Sequence, residues 1–150
     1  MTANTDVSKL DDLIVTTIDS VRGYENSAEH VDAARYADMF RSLATERRQV
    51  VSLLQEQSRA LGGTPGDFGS AAATLHRMFE DLRHALGGGD EGIVKEIERG
   101  EDYLKEEYER ALRVDALSAE TRLVIERCYV AVKRGHDEVS RLKHSLAAAV

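Results

Sequence analysis

One cysteine, one proline and no tryptophan occur in 150 residues, and each scarcity removes a class of protein. A single cysteine, Cys128, can form neither an intramolecular disulfide nor a cysteine-based zinc site. It lies on an apolar helical stripe, where it reads as an inert buried thiol and not a nucleophile. No run of about 18 apolar residues exists, so no membrane span is predicted. Met1 to Leu10 are polar and lack the apolar core of a signal peptide. A cytoplasmic protein is the default expectation. Basic residues are outnumbered 20 to 27, giving a formal net charge of −7, which argues against a nucleic-acid backbone as partner. Strand-like alternation is absent, as are a Gly-rich phosphate loop after a strand and any repeat with a period of about 20 to 50 residues. Solenoids and nucleotide-binding α/β folds are thereby set aside.

What remains is helical material. The chain is rich in Ala, Leu, Glu and Arg, all good helix formers. With 42% apolar and 31% charged residues it reads as one globular domain over residues 1–150, of which 1–7 form a disordered tail. Ser8 is a candidate N-cap, with Asp11 in a capping-box-like position. A seam then runs through Leu10, Ile14, Thr17, Val21, Tyr24 and Ala28, to an end near His30. Asp32 is placed to cap a second helix reaching Leu61, with Phe40, Leu43, Val50 and Leu54 inward and Arg47 on the same seam. Gly62-Gly63-Thr64-Pro65-Gly66-Asp67 is the strongest break. Ser70 opens a shorter helix carrying Leu75, Met78, Phe79, Leu82 and Leu86, which stops at Gly87-Gly88-Gly89. Asp90 is read as the cap of the next helix, with Ile93, Val94, Ile97, Leu104 and Tyr108 inward and Glu101 in that seam. Ser118 caps the last, whose stripe is Ile125, Cys128, Val132, Val139, Leu142 and Leu146. Two tight hairpins joined by one long crossover define an all-α, ferritin-like four-helix bundle with an extra short helix in the crossover.

Several segments then look familiar. They are Leu10 to Ile14 with Gly23-Tyr24, Leu43-Ala44 with Glu46-Arg47, Leu61-Gly62-Gly63 and Leu75-His76-Arg77. Glu98-Arg99-Gly100-Glu101-Asp102 follows, then Ile125-Glu126-Arg127 with Tyr129, Val132, Lys133 and His136-Asp137. On these the chain resembles a bacterial family of small ferritin-like four-helix proteins catalogued as a domain of unknown function. The resemblance implies a stress-associated or metal-related role and fixes no activity.

A ferritin-like di-iron centre uses carboxylates from four helices and two Glu-x-x-His motifs. None occurs here: Glu46 is followed by Gln49 where His is needed, and Glu126 by Tyr129. Level counting along the helices puts Glu46, Glu106 or Glu107, and Glu126 in one rough layer and Glu25, Glu101 and His136 in another. The candidate metal ligands are therefore Glu25, Glu46, Glu101, Glu126 and His136, for iron or another divalent cation. The competing reading pairs Glu46, Glu101 and Glu126 with Arg47, Arg127 or the hydroxyls of Tyr24, Tyr108 and Tyr129, since a buried carboxylate needs a partner. His76, Glu80 and His84 share a stripe on the crossover helix, but three ligands on one helix make a poor cage and the stripe reads as a solvated edge. No catalytic arrangement is indicated by spacing. Two functions follow: a non-catalytic bundle that oligomerises (a homodimer first) or binds a protein partner, and, alternatively, a metal-binding bundle with a degenerate di-metal carboxylate site.

Overall fold

The computed structural model describes residues 2–71 and 88–148. Four long helices, α1 (Thr2–His30), α2 (Ala34–Ala60), α3 (Gly89–Leu112) and α4 (Ala119–Ala148), are accompanied by a short 3-10 turn at Phe68–Ala71. Among the described residues there is no strand, and no helix is long and apolar enough to cross a membrane. The crossover helix expected around Leu75 to Leu86, with His76, Glu80 and His84, lies outside the described residues.

α1 packs most extensively on α2 and α3 on α4, and the two hairpins meet through α2 against α4 and α1 against α3. α1 and α2 run antiparallel, as the ties between them show: Arg48 bonds Glu25, whereas the later Ser58 bonds the earlier Asp11. The chain leaves α2 beside Asp11 and enters α3 at the end where the α1–α2 turn lies. The connection therefore covers the length of α2, about 40 Å at 1.5 Å per residue, which is why it cannot be a tight turn.

The inward positions fill with side chains that the spacing assigned. Leu10, Ile14, Phe40, Leu54 and Ile125 are fully buried, as are Val21, Val94 and Val132. Each such side chain contributes about 1.5–3 kcal/mol on leaving water. Leu142 and Leu146 are only partly buried, packing at the edge of that core. α2 ends in a Schellman motif: Gly62 takes φ +85°, its N–H donates to the Arg59 carbonyl at 3.0 Å, and Gly63 donates to Ser58 at 2.9 Å. Only glycine adopts that left-handed angle without a steric cost.

The helix starts differ from the sequence reading in three places. α1 does not begin at Ser8 behind a disordered tail; it extends back to Thr2. Asp6 explains the extension, because it is buried and its carboxylate accepts from the Ser118 N–H (3.0 Å), the Ser118 hydroxyl (2.6 Å) and the Thr121 hydroxyl (2.8 Å). The first turns are held by a tertiary anchor that local capping signals do not contain. Asp32 does not cap α2, whose N-cap is Ala33 without a side-chain bond. Asp90 does that work from across the bundle, accepting from the Asp32 and Ala33 N–H groups at 2.8 and 3.0 Å. It lies within the first turn of α3, not at its cap. Ser118 does cap α4, accepting from the Thr121 N–H at 3.2 Å. One carboxylate thus pins each end of the bundle.

Candidate functional site

The polar centre of the bundle forms where α2 and α3 place opposite charges on their apolar seams. A cation on a seam can only be tolerated if its partner arrives from another helix. Arg47 on α2 and Glu101 on α3 are 1% and 2% exposed. The guanidinium meets the carboxylate in the two-pronged geometry that suits it, with Nη1 to Oε1 at 2.7 Å and Nη2 to Oε2 at 2.6 Å. Nη1 also donates to the Ser20 hydroxyl of α1 at 2.6 Å, and Nη2 reaches the Val132 carbonyl of α4 at 3.3 Å. One side chain therefore touches all three other helices. Burial works against the Arg47 charge, yet the Glu101 carboxylate overcomes it and raises the pKa above the ordinary arginine value.

Gly135 completes the cradle. A Cβ built there would lie 2.5 Å from Arg47 Nη2 and 3.4 Å from Leu43 Cδ2. The absent side chain is the space the guanidinium occupies. Tyr24 closes the other side, its ring 5.5 Å from the guanidinium carbon and 5.9 Å from Phe40. Its buried hydroxyl makes no hydrogen bond of normal geometry, and burial, with the Glu101 charge nearby, lifts its pKa well above the usual phenol range. Next along the core, Tyr108 and Thr17 share a hydrogen bond at 2.8 Å. Cys128 beside them is buried, and burial pushes its thiol up to about 12. A protonated thiol of that kind is a poor nucleophile.

The five candidate ligands separate. Glu101 is committed to Arg47. Glu25 is half-exposed on the outside of the α1–α2 hairpin, bound by Arg48 at 2.9 and 3.0 Å. Glu46 points outward to Arg134. Glu126 is exposed on α4, about 15 Å along that helix from His136. His136 sits at the α3–α4 seam between two acids, Nε2 to Asp102 at 2.6 Å and Nδ1 to Asp137 at 3.0 Å. Burial alone would depress its pKa, but Asp137 and Asp102 outweigh this and raise it. Glu46, Glu101 and His136 do share a level, since the successive α4 residues Arg134, Gly135 and His136 meet Glu46, Arg47 and Asp102. Their side chains leave that level in three directions. Among the described residues no three His, Cys, Asp or Glu side chains come together in a way that could hold a metal ion, so the five candidate ligands do not form one cluster.

The sequence placed Arg47, Glu101 and Tyr24 on inward seams and offered Arg47 as one of several partners for Glu46, Glu101 or Glu126; of these three acids Glu101 takes it, while Glu46 is held by Arg134. Tyr129 is also paired, donating to Glu109 at 2.6 Å. Thr17 stood on the α1 seam but without its Tyr108 partner, and Ser20 and Gly135 were missed. Small residues on a helix give no signal of their own; only the bulk of a facing arginine shows why they are small.

A four-helix bundle with a satisfied ion pair at its centre is the class that this geometry defines. Residues 5–114 match the model of the family described as Domain of unknown function (DUF2383). The match covers most of the chain, and the protein belongs to that family. No curated protein matches it.

Proposed function

We propose that the protein is a ferritin-like bundle that acts non-catalytically, through its surface, by oligomerising or binding a protein partner. The observation that carries this reading is the Arg47–Glu101 pair. A guanidinium with a permanent positive charge occupies the bundle centre, where a carboxylate-bridged metal would need anionic ligands to converge. Its geometry supports a structural role: both partners are buried, and both carboxylate oxygens accept from Arg47, with the Ser20 hydroxyl at 3.5 Å from one of them. The absence of any Glu-x-x-His motif from the sequence supports the same reading.

Anaerobic Fe(II) titration of metal-free protein, followed by exposure to oxygen, tests it. Uptake no greater than that of an albumin control is the expected result. About two irons per chain, with an oxo-bridged ferric band in the near ultraviolet, would overturn it, and loss of that uptake in Glu46→Ala and Glu126→Ala would then locate the ligands.

A further inference from the structure

The charge of this chain is unevenly divided between its helices. α1 and α3, which pack side by side, carry fifteen acidic residues against six basic, a net of −9. α2 and α4, on the other side of the bundle, carry seven acidic against eleven basic, a net of +4. An overall charge of −7 thus hides a bundle with one strongly acidic and one basic half.

Exposed apolar groups accompany both halves. On α4, Leu123 and Val130 are 66% and 63% exposed, on the side of the helix away from Ile125, Cys128 and Val132. Arg127, Arg134 and Arg141 recur at every seventh residue beside them, which puts them on the same helical face. Arg134 holds Glu46, whereas Arg127 and Arg141 have no ion-pair partner among the described residues and are exposed. On α3, Tyr103 is 59% exposed, one turn from Glu106, which is exposed and has no ion-pair partner among the described residues.

We infer that the α4 face around Leu123, Arg127, Val130 and Arg141 docks on the acidic α1–α3 half of a second copy of the same chain, near Tyr103 and Glu106. The inference deepens the proposed function, on which it rests, by naming the partner. Two chains of net charge −7 repel at long range, so a stable contact must set unlike charges against each other. Basic against acidic half achieves this, and the apolar residues at the middle of each patch supply area that leaves water. Such a contact is heterologous: each docked pair still offers one basic and one acidic face, so assembly continues beyond two chains unless the rotation closes a ring.

The test uses the full chain and two variants, with molar mass read by sedimentation equilibrium. Wild type is expected to self-associate near 0.01 M salt, where the Debye length is about 30 Å, and to lose at least about tenfold in association constant near 1 M, where it is about 3 Å. Arg127→Glu with Arg141→Glu removes the basic face; Tyr103→Ser with Glu106→Lys removes the acidic one. Each variant alone is expected to be monomeric with unchanged helicity. Mixed, they retain one good face of each kind and should form a 1:1 heterodimer that grows no further.

Monomeric wild type at low salt overturns the inference, as does association that strengthens with salt or a variant that dimerises alone. A monomer that still takes up no iron would sink this partner while leaving the non-metal reading intact. Stoichiometric iron uptake by a salt-sensitive oligomer would do the reverse.

Discussion

Removing one member of the Arg47–Glu101 pair should cost far more than removing both. In Arg47→Met the Glu101 carboxylate, 2% exposed, keeps only the long 3.5 Å contact from Ser20. Breaking a buried pair from one side costs about 3–5 kcal/mol. For a domain of this size about 1 kcal/mol moves the melting temperature by 2–4 °C, so a fall of about 10 °C is expected. Glu101→Leu should do comparable damage by stranding the guanidinium. The double variant, Arg47→Met with Glu101→Leu, fills the same space with apolar atoms and should lie near wild type or above it, because desolvating two charges offsets most of what their attraction returns. Urea denaturation of the four proteins at pH 7, followed by far-ultraviolet circular dichroism, gives the coupling energy directly. Additive losses, with the double variant near the sum of the singles, would refute the claim that the pair is a self-contained unit.

Gly135→Ala should destabilise wild type by about 1–3 kcal/mol, since the methyl group overpacks against the guanidinium. In the Arg47→Met, Glu101→Leu background the sign should invert, exposing the gain of about 1 kcal/mol that alanine has over glycine in a helix; a substitution neutral in both backgrounds would show that the cradle is not tight. His136 is flanked by Asp102 and Lys105 of α3 and Asp137 of its own helix. Because its folded pKa is raised, its stabilising contribution is complete below about 6.5 and fades as pH rises through the folded value. The urea-midpoint difference between wild type and His136→Asn should accordingly shrink from pH 6 to pH 9, and a difference that stays flat contradicts the placement. Burial pushes the Asp6 carboxyl up, but the Ser118 and Thr121 donors together hold it below its ordinary value. Its contribution is therefore present above about 3.9 and lost as pH falls through the folded value; Asp6→Ala should cost about 1–3 kcal/mol at pH 7 and progressively less as acid protonates the carboxyl, which acid titration of both proteins would check.

The four helices and their buried faces were legible in the sequence because amphipathic period and glycine breaks are local properties. Leu10, Phe40, Leu104 and Ile125 announce their burial through their spacing alone, and Arg47 and Glu101 announce a need for partners by standing on apolar seams. Tertiary structure decided what spacing leaves open. Helical period states which residues share a stripe, but height and rotation relative to other helices are set by packing. That is why Glu46 turns out to Arg134, Glu126 to the surface and His136 to the α3–α4 seam, while Glu101 goes in. Asp6 and Asp90 act on backbone more than 50 residues away, so no local capping rule could assign them. Gly135 is small because a guanidinium from another helix fills its place, a reason that exists only once the chain is folded.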